Sequence, residues 1–355
     1  MSPTSKAVFC TAVGETAIKE VPIPKLRDGY LLVKVKAVAL NPTDWKSTHA
    51  PTGQSIGSKV GCDYAGVVEE VGPNVTKPFK KGDRVCGIVF GAADAERGAF
   101  GEYVIAPEHL QIQIPDSLSF EEASTLGVGI TTVGQGLYQF LELPLPTEPL
   151  PEPKHLLIYG GSTTTGILGI QFARLSGLKV LATASPHNFD YLRSLGAEAV
   201  FDYHTPTEEL AREIKAYTDN KLTYAWDCSP TEESARLCAL AMSDSEEGAY
   251  GQLLPIDKEV IKAANPKVAK VGFTMGYTAF GEELSRGSVT FPAKPEDAVF
   301  AGKFWELSKD LLAQGKVKVA KIDVNRGGKG LEGVRKGLDE LRQGKVSGTK
   351  LVYTI

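Results

Sequence analysis

Residues 155–166 read His-Leu-Leu-Ile-Tyr-Gly-Gly-Ser-Thr-Thr-Thr-Gly, an apolar strand followed by a turn of glycines and hydroxyl residues. We predict a helix immediately after the turn, from Thr164 to about Leu175. This is the order of the first strand, turn and helix of a dinucleotide-binding domain, in which the N–H groups and dipole of the helix attract a pyrophosphate. The turn keeps three glycines but fills its centre with hydroxyl residues, so the usual glycine fingerprint is incomplete. An ordinary capped strand–helix loop is the alternative interpretation.

Strands and amphipathic helices alternate around and after this turn. The predicted strands lie at about 155–160, 179–184, 199–203, 224–228 and 251–256. The predicted helices lie at about 164–175, 188–195, 207–217 and 231–242. Such alternation is typical of a parallel, doubly wound sheet, so we predict an α/β Rossmann domain.

The chain before this domain has a different pattern. Period-two alternation bounded by turn residues predicts strands at 6–9, 31–39, 64–71 and 83–90. The proline-rich segment 144–153 cannot continue a helix or a strand ladder, so it is predicted to be a surface connector. Near the C-terminus we predict helices at about 296–313 and 331–342 and a closing strand at 348–355. The predicted domains are 1–125 with 290–355, and 126–289.

Composition bounds the possible functions. The chain has 355 residues, 42% of them hydrophobic, and a net charge of −4, which favours two soluble domains and no general affinity for nucleic acid or anionic membranes. No apolar run approaches the ~20 residues of a membrane span, and no leader or address signal is recognisable, so a cytoplasmic location is expected. The five cysteines are scattered without a C-x-x-C pair, which disfavours a disulfide framework or a structural zinc site.

The end of the second Rossmann strand bears on the cofactor. NAD-specific sites usually place an acidic residue there for the ribose 2′-hydroxyl, whereas this strand ends in Thr183-Ala-Ser185, followed by Pro186, His187 and Asn188. An acidic residue would repel a 2′-phosphate, and Ser, His and Asn can hydrogen-bond to it, so NADPH is favoured. Capping of the next helix is the alternative role for Ser185 and Asn188, and an exposed loop position is the alternative for His187.

Several local patterns resemble the medium-chain dehydrogenase/reductase superfamily. They are Val68-Glu-Glu-Val-Gly72, Lys81-Gly-Asp-Arg-Val-Cys-Gly87, Gly98-Ala-Phe-Gly-Glu-Tyr-Val104 and Ile114-Pro-Asp-Ser-Leu-Ser-Phe-Glu-Glu-Ala123. The resemblance covers nearly the whole chain. It implies a GroES-like β-rich catalytic domain, then a Rossmann domain, then a return of the chain to the first domain.

The zinc ligands of that superfamily are not matched here. Asn41 stands where zinc-dependent members have a catalytic cysteine, and Cys62 stands where they have a histidine. A catalytic zinc needs about three protein ligands, and the four-cysteine loop of a structural zinc is also missing between Cys86 and Tyr103. The resemblance is therefore to the zinc-independent members, and no metal site is expected.

Within that group the chain resembles the trans-acting enoyl reductases of fungal polyketide clusters. The resemblance rests on Asn41-Pro-Thr-Asp-Trp-Lys46, Gly160-Gly-Ser-Thr-Thr-Thr165, Ser185-Pro-His-Asn-Phe189, Phe201-Asp-Tyr203 and Phe280-Gly-Glu282. It implies reduction by NADPH of the α,β double bond of a polyketide held on the acyl carrier protein of a polyketide synthase (PKS) or PKS–NRPS megasynthase. It also implies a monomer. A free-standing quinone or enone oxidoreductase, and a non-catalytic NADPH-binding partner protein, are the alternatives.

The resemblance also assigns candidate site residues. Lys46 and Thr132 are the catalytic candidates, with a surface lysine and a helix N-cap as their alternative roles. Thr132 is expected to begin a helix. The candidate cofactor contacts are Thr43, Asp44, Trp45, Lys46, Ser162, Thr163, Thr164, Thr165, Ser185, Pro186, His187, Asn188, Tyr203, Leu253, Leu254, Val346 and Ser347. The candidate substrate contacts are Thr132, Val133, Gly134, Gln135, Gly136, Leu137, Tyr138, Gln139, Phe280, Gly281, Glu282, Glu283, Leu284 and Ser285.

Two basic clusters are candidate docking surfaces, because carrier proteins are usually acidic. The clusters are Lys77, Lys80, Lys81 and Arg84, and Arg335, Lys336, Arg342 and Lys345. A solvated charged face is the alternative for both.

Overall fold

The computed structural model describes residues 3–286 and 289–355. They divide into two compact units. Unit 1 comprises the chain up to Thr131 together with Tyr277–Ile355, and unit 2 is Thr132–Gly276. The chain therefore leaves the first unit, builds the second and returns, which is the order expected from the sequence.

The first segment of unit 1 is mainly β-structure. Its strands are β1 Thr4–Ala12, β2 Glu15–Pro22, β3 Tyr30–Ala39, β4 Asp63–Val71, β5 Arg84–Ile88, β6 Tyr103–Pro107 and β7 Gln111–Gln113. Its helices are α1 Pro42–Thr48, α2 Phe120–Ala123 and α3 Gly127–Val133, the last of which ends at the start of unit 2. The strand β2, which pairs with β1, was not predicted, because its side chains are partly exposed or exposed throughout and give no clear alternation.

Unit 2 contains the predicted parallel sheet. Its strands are β8 His155–Tyr159, β9 Lys179–Ala184, β10 Ala199–Asp202, β11 Leu222–Asp227, β12 Gly248–Gln252 and β13 Val268–Phe273. Its helices are α4 Thr164–Leu175, α5 Phe189–Ser194, α6 Thr207–Tyr217, α7 Glu232–Ala241 and α8 Lys258–Ala264. All the described strand pairs are parallel, in the order β10-β9-β8-β11-β12-β13, so the Rossmann prediction is confirmed.

One boundary in that prediction is wrong. The strand predicted at 251–256 corresponds to β12, which ends at Gln252. Leu253 and Leu254 continue the apolar run of the sequence but lie in the bend that follows the strand.

The returning segment completes unit 1. Its elements are β14 Leu284–Arg286, β15 Val289–Phe291, α9 Pro295–Ala313, β16 Ile322–Val324, α10 Gly330–Arg342 and β17 Lys350–Thr354. The strand β17 pairs with β3 and extends the described sheet of the first segment in the order β16-β17-β3-β4-β5-β7. The unit 1 core joins both segments, since side chains of α10 and β17 pack with those of β1, β3 and β4.

Candidate active site and cofactor-binding residues

The turn after β8 is shaped for close approach to an anionic group. Gly160 has φ +75°, and a Cβ on Gly161 would lie 2.8 Å from that of Ala182, so neither position accepts a side chain without strain. The hydroxyl of Thr163 accepts from the Gly166 N–H at 3.0 Å and therefore caps α4. The glycine cradle at a helix N-terminus fits the pyrophosphate of a dinucleotide.

The four hydroxyl residues of that turn, Ser162, Thr163, Thr164 and Thr165, are all partly exposed. Thr163 already makes two hydrogen bonds within the turn, because its hydroxyl also donates to the Gly160 carbonyl at 2.8 Å. The capping alternative thus applies to Thr163.

Ser185 and Tyr203 come together at the adjacent ends of β9 and β10. The Ser185 hydroxyl donates to the Tyr203 hydroxyl at 3.2 Å. Tyr203 is 42% exposed, and its ring stacks on His204 at 4.2 Å between centroids. The two hydroxyls form an exposed polar pair at the position where an NAD-specific site would have a carboxylate.

The rest of this segment forms a short 3₁₀ turn at Pro186–Asn188. His187 is exposed, whereas Asn188 is buried and its amide lies 3.1 Å from the His187 ring Nε2. The Ser185 side chain makes no capping hydrogen bond to this turn, so the capping alternative does not describe it. Asp202, the last residue of β10, precedes Tyr203 in the sequence. Its carboxylate accepts a hydrogen bond from the backbone N–H of His204, and hydrogen bonds from His204 lower the pKa of Asp202.

The turn after β12 contains Leu253 and Leu254. Leu254 is 44% exposed, and the Leu253 N–H donates to the Asp227 carbonyl at 3.1 Å. The buried Asp227 carboxylate accepts from the hydroxyls of Ser234 at 2.6 Å and Tyr250 at 2.9 Å. Burial raises the pKa of Asp227 to about 6. This hydrogen-bonded group, which the sequence did not indicate, fixes the carboxyl ends of β11 and β12.

In unit 1, the short helix α1 carries four of the candidate residues. Asp44 is 2% exposed, and its carboxylate accepts from the Asn41 N–H at 2.7 Å, so it holds the helix start. Burial, aided by the negative charge of Asp63, raises the pKa of Asp44 to about 7. Trp45 packs against the unit 1 core. These two residues serve the fold of α1, and the hydroxyl of Thr43 and the ammonium of Lys46 are its more accessible polar groups.

Lys46 is exposed as a whole residue, but its ammonium is partly desolvated by neighbouring protein atoms. The Nζ atom lies 5.8 Å from the centre of the Trp45 ring. Desolvation lowers the pKa of Lys46. Because the side chain is exposed, water screens much of this effect, and the ammonium is still available as a cation.

The buried residue Lys350 contacts Asn41, the N-cap residue of α1. Its ammonium donates to Asp63 Oδ2 at 2.6 Å, to Asn41 Oδ1 at 2.8 Å and to the Thr125 carbonyl at 3.1 Å. The other carboxylate oxygen of Asp63 accepts from the Val128 N–H at 2.6 Å, at the start of α3. From the sequence, Asn41 and Cys62 occupy the positions of zinc ligands in other members of the superfamily. The sequence did not indicate that a lysine ammonium binds Asn41 and Asp63, the residue after Cys62.

Thr132 does not begin a helix, so that prediction is wrong. It is the sixth residue of α3, which starts at Gly127, and the carboxylate of Asp63 accepts the N–H of Val128 in its first turn. The N-cap alternative for Thr132 is therefore excluded. Its side chain is partly exposed.

The predicted substrate stretch after Thr132 forms a π-helix, Gly134–Phe140. Most of it is buried: the Tyr138 hydroxyl is hydrogen-bonded to Ser176 at 2.9 Å, and a Cβ on Gly136 would lie 2.5 Å from the Trp226 ring nitrogen. Gln139 is partly exposed. π-helical turns are frequent at functional sites.

The second predicted substrate stretch lies in unit 1. Phe280 and Leu284 are buried, whereas Glu283 is exposed. The Glu282 carboxylate pairs with Arg97 Nη1 at 3.0 Å, and the hydroxyl of Ser285 in β14 lies 3.3 Å from that of Thr290 in the paired strand β15. Gly281 has φ +76° and a close neighbour in Ala298, so it is required for the turn.

Tyr277 is a polar residue that the sequence reasoning missed. Its hydroxyl lies 2.5 Å from Thr43 Oγ1 and 3.9 Å from Cys62 Sγ. Its ring packs on Phe90 at 4.3 Å between centroids. No local signal identified it, because 234 positions separate it from Thr43.

Val346 and Ser347 lie between α10 and β17. Val346 packs against the unit 1 core, and Ser347 is exposed.

Most members of the two basic clusters are engaged within the chain. Lys77 pairs with Glu306 and Lys81 with Glu69, and the Arg84 guanidinium donates to the Leu118 carbonyl. In the second cluster Arg335 pairs with Glu332 and Arg342 pairs with Asp339. Four of the eight basic side chains are thus paired with acids, as is common on a solvated charged face.

No group of three or more His, Cys, Asp or Glu side chains among the described residues is arranged to hold a metal ion. No helix in the described part of the chain is long and apolar enough to cross a membrane.

Comparisons with known proteins agree with this architecture. The family model of the alcohol dehydrogenase GroES-like domain matches residues 27–116, and that of the zinc-binding dehydrogenases matches residues 164–248. A solved structure of a mycobacterial protein complexed with NADPH has a TM-score of 0.75, covers 99% of this chain and 100% of its own, and is 18% identical. That similarity establishes the fold.

Curated relatives narrow the family. The trans-enoyl reductase ACTTS2 of Alternaria alternata is 46% identical over 354 residues, covering 99% of both chains. The trans-enoyl reductase resD of Aspergillus sclerotiorum is also 46% identical, covering 99% of this chain and 100% of its own. The chain therefore belongs to the trans-enoyl reductase family of oxidoreductases, within the medium-chain dehydrogenase/reductase superfamily.

Proposed function

We propose that this enoyl reductase acts in trans, in the cytoplasm, on an enoyl chain tethered to the acyl carrier protein of a PKS or PKS–NRPS, with NADPH as reductant. The observation that carries the proposal is the full-length similarity to trans-enoyl reductases of two fungi. We propose a monomer as its working form.

The choice of NADPH rests on the residues at the ends of β9 and β10. The paired hydroxyls of Ser185 and Tyr203 can donate to a 2′-phosphate. His187, an exposed residue, follows Ser185 by two positions in the sequence. The end of β9 has no carboxylate to repel that phosphate. Ser162, Thr164 and Thr165 would hold the pyrophosphate with the N-terminus of α4.

NADPH, when bound, would supply the hydride that adds to the β-carbon of the enoyl thioester. The protein must then stabilise charge on the thioester oxygen. Lys46 is the proposed cation for this role, because its ammonium is accessible and the buried capping contacts of Asp44 hold its helix in place. Thr132 is proposed to donate a hydrogen bond from its partly exposed hydroxyl to the cofactor carboxamide or the thioester carbonyl.

Backbone groups are proposed for the contacts with the nicotinamide. Leu254 and Ser347 are exposed residues outside helices and strands, and with Leu253 and Val346 they are proposed to contact the nicotinamide through backbone groups. Gln139 and residues 280–285 are the proposed contacts of the acyl chain, and the buried part of the π-helix holds Gln139 in place.

Steady-state reduction of an enoyl-pantetheine thioester tests the two catalytic assignments. Lys46→Ala and Thr132→Ala should each lower kcat/KM by about a hundredfold, the usual effect of removing one group that stabilises an oxyanion. Lys25→Ala, which removes another exposed lysine of unit 1, should retain the wild-type value. Wild-type rates in both active-site variants would overturn the assignment.

A further inference from the structure

The hydroxyl of Tyr277 is held at a defined position beside Thr43. It lies 2.5 Å from Thr43 Oγ1, and the ring is fixed from the side by Phe90, which is itself buried. Phe90 also packs on Phe280, at 6.0 Å between ring centroids. Tyr277 thus places a phenolic O–H at the edge of an aromatic cluster that includes a candidate substrate residue.

The other proton-bearing groups near Thr43 are less suited to reach a substrate. Asp44 is buried and occupied with the Asn41 N–H, and Asp63 is buried and paired with Lys350. Cys62 is 1% exposed. Tyr277, in contrast, is partly exposed, as are Thr43 and the ammonium of Lys46.

Lys46 and Tyr277 can therefore have different roles in the reaction, namely stabilisation of the enolate oxygen and protonation of the α-carbon. A lysine ammonium that stabilises the enolate oxygen works best when it keeps its proton. The proton for the α-carbon then has to come from another group, and a phenol hydrogen-bonded to a second hydroxyl can release one and be re-protonated.

We infer that Tyr277 is the general acid that protonates the α-carbon of the enoyl thioester. The inference rests on the proposed function, in which hydride addition at the β-carbon leaves an enolate. The electron pair of the enolate forms the new bond from the α-carbon to the phenolic proton, and the Tyr277 O–H bond breaks to leave a phenolate. The Thr43 hydroxyl donates to this phenolate, and water returns the proton.

The test is a reaction run in D₂O with unlabelled NADPH and an enoyl-pantetheine thioester. Three readouts are needed: kcat, the configuration of the deuterium at the α-carbon, and the dissociation constant of NADPH from its fluorescence. Tyr277→Phe keeps the ring that packs on Phe90 and removes only the hydroxyl. Tyr217→Phe is the matched control, since Tyr217 is 45% exposed and its hydroxyl contacts only the surface residue Glu198 in the described hydrogen bonds.

The wild-type protein and the control should give one α-carbon configuration. Tyr277→Phe should lower kcat by about a hundredfold, bind NADPH with unchanged affinity, and give both configurations, because water then delivers the deuteron from either face. Retention of the wild-type kcat or of a single configuration by Tyr277→Phe would overturn the inference. A weakening of NADPH binding as large as the loss of kcat would overturn it as well. Absence of turnover by the wild-type protein would instead overturn the proposed function, and the role of Tyr277 with it.

Discussion

The ammonium of Lys350 lies 2.6 Å from the carboxylate of Asp63, and both side chains are almost completely buried. The three N–H groups of this lysine meet three acceptors, from Asp63, Asn41 and Thr125. A buried charge is tolerated when it is paired and its hydrogen-bonding capacity is satisfied, as it is here. The pair joins β17 to β4 and to the start of α1, the helix that carries Lys46.

Removal of the lysine should strongly destabilise unit 1. Lys350→Met leaves the Asp63 carboxylate buried without its counter-charge, which should lower the free energy of unfolding by about 3–5 kcal/mol. Urea titration followed by circular dichroism measures it. The double variant Lys350→Met/Asp63→Asn should recover part of the loss, and Lys345→Met, at an exposed position, should be neutral. A loss below about 1 kcal/mol in the single variant would show that the pair is unimportant.

Asp44 should make stability fall as the pH rises. Burial raises its pKa to about 7 in the folded state, from an ordinary value of 3.8. Between these values the native state holds a proton that the unfolded state has released, so the free energy of unfolding decreases from about pH 4 to about pH 7. Asp227, with a pKa raised to about 6, acts in the same direction.

Substitution separates the two carboxyl groups. Asp44→Asn should flatten the decrease up to about pH 7, and Asp227→Asn should flatten only the part below about pH 6. Urea midpoints measured at intervals across this range provide the comparison. An Asp44→Asn profile parallel to that of the wild type would mean that Asp44 is ionised throughout.

Ser185→Asp should shift the coenzyme preference. A carboxylate at this position would repel a 2′-phosphate and accept from a ribose 2′-hydroxyl, so the KM for NADPH should rise at least about tenfold while that for NADH stays equal or falls. Ser194→Asp adds the same charge at another exposed position of unit 2 and should change neither value. Equal effects of the two substitutions would remove Ser185 from the 2′-phosphate site.

Two helical glycines provide a test of packing. In α4, a Cβ on Gly169 would lie 2.5 Å from the Trp226 ring, so Gly169→Ala should destabilise the protein by about 1–3 kcal/mol. In α9, a Cβ on Gly302 would meet His109 at 3.6 Å, an ordinary contact, so Gly302→Ala should stabilise by about 0.5–1 kcal/mol. Thermal unfolding of both variants measures the difference. Similar midpoints would contradict the packing around Trp226.

The sequence predicted the elements whose signals are local. The turn at Gly160 and the helix Thr164–Leu175 follow from adjacent residues, and the structure has them at the predicted bounds. The end of β12 was misplaced because Leu253 and Leu254 are apolar but lie in a turn, where hydrophobicity alone gives no boundary.

The site residues that were missed depend on distant parts of the chain. Lys350 and Asp63 are separated by 287 positions, and Tyr277 and Thr43 by 234. Lys350 is the first residue of β17, and Tyr277 follows β13. The sequence around each of them contains no pattern that indicates a distant partner. Only the fold, which brings β17 and the segment after β13 to α1, reveals these pairs.

The central claim is the reduction of a carrier-bound enoyl thioester. A comparison of kcat/KM for two substrates, each supplied separately, tests it most directly. The wild-type protein is given NADPH with either an enoyl thioester on an acyl carrier protein or a simple quinone, and kcat/KM is measured for each. We predict a value at least about a hundredfold higher for the carrier-bound thioester, because contacts with the carrier and its pantetheine add binding energy that the quinone lacks. An equal or higher value for the quinone would contradict the proposal and indicate a free-standing quinone oxidoreductase.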